Sequence, residues 1–153
     1  MVNFLLFLLQ AIPEMTGVIA FSVALAGVPL RWGIITPVAT VLAAIAFVIR
    51  TLPFTFGLHT VACLMLTVVF VAKATRVLLS KSFVAVFSSV ATLAVLELVI
   101  HEVFFAVTKT DPQVYIANPL FWRLLGLPQA LLMIVFALLA ARIKKPAEGM
   151  WRI

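Results

Sequence analysis

Charge is scarce in this chain. Its 153 residues include eleven lysines and arginines and five aspartates and glutamates, so 10% carry charge. An ordinary soluble domain has about a quarter of its residues charged, so a water-facing globular surface is excluded. There is a single cysteine, Cys63, which excludes an intramolecular disulfide and says nothing about redox compartment. Set in an apolar run, it is expected to be a small packing residue. The start of the chain, Met1-Val2-Asn3-Phe4, lacks the basic residues of a signal peptide, and no suitable small-residue cleavage site follows. The first apolar run is therefore expected to stay. Also missing are a nucleotide-binding glycine loop, a Ser/His/Asp set in recognisable context, the aspartate pair of an intramembrane protease and a carbonyl selectivity-filter motif. The expectation is a non-enzymatic chain with no cofactor and no bound metal.

What is present is apolar. Hydrophobic residues make up 65% of the chain, and mean hydropathy is +1.28. A spanning helix needs roughly 20 mostly apolar residues. The pattern predicts an all-α integral membrane fold, a bundle of five transmembrane helices at residues 2–26, 34–49, 58–77, 82–107 and 124–143. Residues 1–145 form one domain, and residues 146–153 a tail too short to fold alone. Splitting the first run at Pro13 would leave two pieces of about 11 residues, too short for a bilayer. Pro37 is expected in the first turn of the second span, where proline is tolerated. The segment from Thr108 to Ala117 reads as the longest connector. Asn118 is a good N-cap and Pro119 a good first helical residue. Gly126 and Pro128 are expected to kink the last helix or split off an interfacial segment.

Orientation follows from the cations. With five spans, Arg31, Lys73, Arg76, Lys81, Arg142, Lys144, Lys145 and Arg152 fall on one side. Arg50, Lys109 and Arg123 fall on the other. The excess of basic residues marks the cytoplasmic side, so the N-terminus is expected outside and the C-terminus in the cytoplasm. The net charge of +6 is explained by this placement and not by nucleic acid. The expected location is a bacterial cytoplasmic membrane, with the bilayer as principal partner. Trp32, Phe54, Phe56, Tyr115, Phe121 and Trp122 fit the aromatic belts, and Trp151 is expected to return to the interface. Gly17, Ala20, Ala24 and Gly27, like Ala43, Ala44 and Ala46, form small-residue stripes that permit close helix packing within or between protomers.

The residues lipid does not explain are acids. Counting about 1.5 Å per residue, Glu97 lies roughly 15 Å below the outer surface, and Glu14 lies at a similar depth. A carboxylate at that depth is a functional-site candidate, as ligand contact or as proton or cation site. The structural alternative is a protonated glutamate in an interhelical hydrogen bond. If the two approached one another, only one would stay charged. The first and fourth spans are then expected to face each other. His101 follows Glu97 by four residues and shares its helix face. Nearer the outer surface, Arg50, His59, His101 and Glu102 can be assembled into a pocket lidded by residues 115–123, suited to a small polar or amphipathic ligand. Glu102 has a simpler reading as a solvated interface residue, and Arg50 as a cation snorkelling to headgroups.

Three stretches carry a resemblance. They are Glu14-x-Thr16-Gly17, then Arg50-Thr51-Leu52-Pro53-Phe54-Thr55-Phe56-Gly57-Leu58-His59-Thr60, and then Asn118-Pro119-x-x-x-Arg123-Leu124-Leu125-Gly126-Leu127-Pro128, with Glu97 between the second and third. Together they resemble the N-terminal multi-span membrane region of some bacterial sensor histidine kinases and small stand-alone membrane proteins of the same pattern. The resemblance implies that the outer connectors and inner polar residues sense a ligand or a membrane state. No kinase or phosphotransfer segment follows Lys145, so action is expected through self-association or a membrane or cytoplasmic signalling partner. The rival expectations are a small proton- or cation-coupled transporter or channel subunit using Glu14 and Glu97, and a structural membrane-assembly protein.

Overall fold

A computed structural model describes residues 1–53 and 57–153. The connector residues Phe54, Thr55 and Phe56, on which part of the aromatic-belt and resemblance readings falls, lie outside the described residues. The described residues form seven helices and no strands: α1 Val2–Leu25, α2 Trp32–Thr51, α3 Leu58–Ala74, α4 Leu79–Thr108, α5 Pro112–Ile116, α6 Pro119–Leu125 and α7 Leu127–Lys144. Four stretches are long and apolar enough to cross a membrane: α1, α2, α4 and the run Pro119–Lys144 that joins α6 to α7. α3 is apolar but shorter, at 17 residues. These helices mark the chain as a multi-pass membrane protein.

Local chemistry explains most of the boundaries. Pro13 sits inside α1 without ending it. It removes one backbone donor, so the carbonyl of Leu9 loses its intrahelical partner at this level. α2 begins at Trp32, so Pro37 falls in its second turn and not its first. Gly57 adopts φ 93 at the N-cap of α3, a left-handed conformation that glycine adopts without a Cβ penalty. The segment read as the longest connector holds a helix, α5, because Asp111 caps it through a bond from Gln113 N and Pro112 opens it. Asn118 caps α6 in the same way, accepting from Leu120 N at 3.2 Å, with Pro119 behind it. Gly126 turns the chain from α6 into α7, which carries Pro128 in its first turn.

α1 is the central helix, packing most extensively against α7 and also against α2 and α4. Its small-residue stripe explains the close approach to α7. A Cβ built on Gly17 would lie 2.7 Å from Met133 Cβ and 3.2 Å from the Ala130 carbonyl oxygen. Ala20, Ala24, Ala130, Met133 and Ala137 are buried around it. This stripe is therefore spent within one chain. Between α1 and α4 the contact is polar: Ser22 Oγ donates to the Val18 carbonyl at 2.6 Å and lies 3.0 Å from Ser89 Oγ.

The bundle has two unlike ends. At one, the α1–α2 turn, the α3–α4 turn and residues 146–153 are stitched together. Arg76 N donates to the Met150 carbonyl and Arg152 N to that of Ala74, both at 2.8 Å. Trp151 is buried among them, donating Nε1–H to the Pro29 carbonyl at 2.7 Å. It fills the end of the bundle and does not sit in a lipid interface. Lys144 Nζ reaches the Leu25 carbonyl at 2.7 Å, completing the last turn of α1. An apolar cluster including Ile19, Val23, Val68, Val71 and Val86 lies above this end. Toward the other end packing loosens. The buried residues of α4 are Ser82, Ala85, Val86 and Ser89, all within its first eleven residues. Beyond them Val95, Leu98, Val99, Val103 and Val107 are exposed. The space this leaves between α4 and the rest of the bundle holds the site.

Candidate functional site

A cavity of about 540 Å³ occupies that space. Its wall on α4 is the stripe Val90, Leu93, Ala94 and Glu97, the spacing that keeps residues on one helix face. α1 supplies Phe7, Gln10, Ala11, Glu14, Met15 and Val18 from a matching stripe. The same cavity meets Ala46 and Arg50 of α2 and His59 and Cys63 of α3, with Trp122 and Arg123 of α6 and Gln129 of α7 closing it. Glu14 and Glu97 thus line one cavity from facing helices, with Arg50 and His59 in the same wall.

Its polar groups are organised around Gln10. Arg123 Nη1 donates to Gln10 Oε1 at 3.5 Å, and Gln10 Nε2 donates to Glu14 Oε2 at 3.4 Å. Both exceed the usual N–H···O range of about 2.7–3.2 Å, so these groups are loosely held. One amide thus bridges a guanidinium and a carboxylate. The two arginines share the ring of Phe7: Arg50 Cζ lies 5.6 Å from its centroid and Arg123 Cζ 5.3 Å. A cation over an aromatic face is attracted by the ring quadrupole, which offsets part of the repulsion between them. Gln129 is 1% exposed. Its Oε1 has no hydrogen-bond partner among the described residues. A buried acceptor left unmet costs about 1–3 kcal/mol, so this amide is an energetic loose end in the wall.

His101 and Glu102 do not join the cavity wall. His101 continues the α4 stripe by spacing, but its ring packs against that of Trp122, 4.9 Å away between centroids, and Trp122 lines the cavity in its stead. Its Nδ1 lies 2.6 Å from the Glu97 carbonyl oxygen, one turn back on its own helix. Glu102 follows Glu97 by five residues, which turns it about 140° away around the helix, and it is exposed. The lid expected at residues 115–123 is represented in the wall by Ile116, Pro119, Trp122 and Arg123.

Cys63 corrects the packing expectation: it is half-buried and lines the cavity. Among the described residues no three histidine, cysteine or acidic side chains are grouped to hold a metal ion. The residues that sequence reasoning passed over are Gln10, Gln129 and the inward role of Arg123. Gln10 stands one turn before Glu14, and Gln129 three residues after Gly126. A buried glutamine in an apolar helix is the same kind of signal as a buried glutamate, only weaker. No protein-family model, curated protein or solved structure matches the chain.

Proposed function

We propose that the chain is a five-span, non-enzymatic membrane module, N-terminus outside and C-terminus cytoplasmic, that binds a ligand in the cavity between α1, α3 and α4. The observation that carries this reading is the cavity itself. It is lined by Glu14, Glu97, Arg50, Arg123 and Gln129, while the apolar cluster around Ile19, Val71 and Val86 closes the bundle on the opposite side. Water-sized space walled by ionisable side chains at membrane depth supports a polar occupant. A packed apolar floor favours holding a ligand over passing an ion. α3 rises roughly 26 Å, which suits it as the fifth span at the short end of the usual range. The stitched end carries Arg31, Lys73, Arg76, Lys144 and Arg152, which supports that end as cytoplasmic. A sensory role, with the signal passed by self-association or a partner in a bacterial cytoplasmic membrane, accords with the resemblance to kinase membrane regions.

Cys63 provides the test, being the one cysteine in the chain and part of the cavity wall. In right-side-out membrane vesicles, a membrane-impermeant methanethiosulfonate added outside is expected to modify Cys63. Modification only from the cytoplasmic side would sink both the orientation and the outward-opening cavity. In proteoliposomes, proton or cation flux abolished by Glu14→Gln or Glu97→Gln would replace the binding reading with the transporter reading.

A further inference from the structure

We propose that the occupant of this cavity is a small zwitterion with an apolar body, its ammonium held by Glu14 and Glu97 and its anionic group by Arg50 and Arg123. The inference rests on the ligand-binding reading above and specifies its chemistry.

The argument is one of charge placed in pairs and left unpaired. Two guanidiniums stand around one ring, so they lie within about 11 Å of each other. Two carboxylates share the cavity with them. The short route to neutrality would be two internal ion pairs. Instead Gln10 is interposed, giving its oxygen to Arg123 and its N–H to Glu14 through long bonds. That arrangement leaves Arg123 and Glu14 without a direct ion pair and spends little of either group's hydrogen-bonding capacity. A cationic pole of two guanidiniums and an anionic pole where at least one carboxylate stays charged each call for a counter-charge. A simple cation satisfies one pole and leaves the other, and a simple anion does the reverse. A molecule carrying both charges satisfies both.

Gln129 is nearly fully buried, and its Oε1 has neither a partner among the described residues nor accessible surface, so it sits behind the wall and is not offered to an occupant. An ammonium brings three donors and no acceptor, which matches a pole composed of carboxylates. Apolar side chains complete the wall, among them Met15, Leu64, Leu93 and Trp122. A cavity of about 540 Å³ exceeds what a bare amino acid fills and suits a body such as a short apolar peptide or a zwitterionic lipid headgroup with the start of its chains.

The test uses the full chain in a nonionic detergent and follows the rate at which a methanethiosulfonate modifies Cys63. The probes are leucyl-leucine, its N-acetyl form, which lacks the ammonium, its methyl ester, which lacks the carboxylate, and lysophosphatidylethanolamine. The free zwitterion is expected to slow modification. Each capped form is expected to need at least about tenfold more, the loss that removal of one charged hydrogen-bonding partner brings. Protection by the lysolipid and not by the dipeptide keeps the zwitterion chemistry and assigns it to a lipid headgroup. Glu14→Gln is expected to narrow the gap between the dipeptide and its N-acetyl form. Arg123→Gln is expected to narrow the gap between the dipeptide and its ester. The capping series on the unmodified chain requires no variant to fold. Equal protection by capped and free forms overturns the proposal. So does a reactive Cys63 that no probe protects, although the outward-opening cavity then survives. A Cys63 that is inaccessible from outside in vesicles overturns the binding reading as well.

Discussion

Gly126 lies directly against the side chain of Gln10, so closely that a Cβ at position 126 would overlap the Gln10 amide nitrogen and come within 2.9 Å of its Cδ. The turn between α6 and α7 therefore sets where the amide between Arg123 and Glu14 can sit. Gly126 is buried but does not adopt a left-handed conformation, its φ being −78. Its requirement is for space.

Gly126→Ala should accordingly act on the site more than on the fold. Gln10 is a flexible side chain and can yield, so the stability loss should stay below about 1 kcal/mol. The displaced amide should lose its bonds to Arg123 and Glu14. Gln10→Ala removes the obstruction, so the two changes should be non-additive, with a coupling of about 0.5–1 kcal/mol in thermal denaturation of the detergent-solubilised protein. Additive effects would show that Gly126 and Gln10 are not in contact.

Gly17 presents the opposite case, because its neighbours cannot yield. A Cβ there would meet Met133 Cβ at 2.7 Å and the Ala130 carbonyl oxygen at 3.2 Å, atoms fixed to the α7 backbone. Gly17→Ala should therefore push α7 from α1 and cost about 1–3 kcal/mol, the usual range for overpacking. Met133→Ala should not relieve it, since the offending Cβ remains. Met133→Gly should relieve part of it in a double-mutant comparison, despite the roughly 1 kcal/mol that a helical glycine costs by itself. The unfolding midpoints of the three variants and two pairs decide the matter.

The contrast between these two glycines shows what the sequence makes legible. The small-residue stripe on the first helix announces close packing by its spacing, and Gly17 is where that packing occurs. The sequence does not name the partner helix, because any apolar helix with small residues satisfies the same rule. Long apolar runs bounded by Arg50, Lys73 and Lys144 give the helices within a few residues. The helix at Pro112–Ile116 is harder to see, because five residues carry no periodicity and only Asp111-Pro112 signals it. For the site, Glu14 and Glu97 stand out by composition and by depth. His101 also meets the spacing rule, yet it packs on Trp122, which lines the cavity in its stead. That depends on where α6 sets Trp122 against His101, a tertiary fact absent from periodicity. Gln10 and Gln129 are legible only once a carboxylate beside them gives their amides a purpose.

The serine contact between α1 and α4 should be worth little and measurable. Ser22 Oγ and Ser89 Oγ lie 3.0 Å apart, and each also reaches a carbonyl one turn back on its own helix. Because each hydroxyl keeps that local partner, removing the other serine does not strand it. The coupling from Ser22→Ala and Ser89→Ala should be near 0.6 kcal/mol, the average for hydrogen bonds between membrane helices. A value of several kcal/mol would mean that the pair positions α4 and does more than join it.

Trp151 offers the clearest separation of packing from hydrogen bonding. Its indole is 6% exposed and packs with Val28, Val71 and Val77 in the main apolar cluster. Its Nε1–H reaches the Pro29 carbonyl at 2.7 Å. Pro29 lies between α1 and α2, while the neighbouring backbone bonds of Met150 and Arg152 hold Arg76 and Ala74 at the end of α3. One side chain thus ties two turns that are far apart in sequence. Trp151→Phe keeps most of the ring and loses the donor, so it should cost about 1 kcal/mol. Trp151→Ala empties the site and should cost about 3–5 kcal/mol. The larger change should also release the tail, so that hydrogen exchange at the Arg76 and Arg152 amides accelerates strongly in Trp151→Ala and only slightly in Trp151→Phe. Equal acceleration in both would assign the clasp to the single bond to Pro29, and no acceleration in either would show that the backbone bonds hold the tail without the indole.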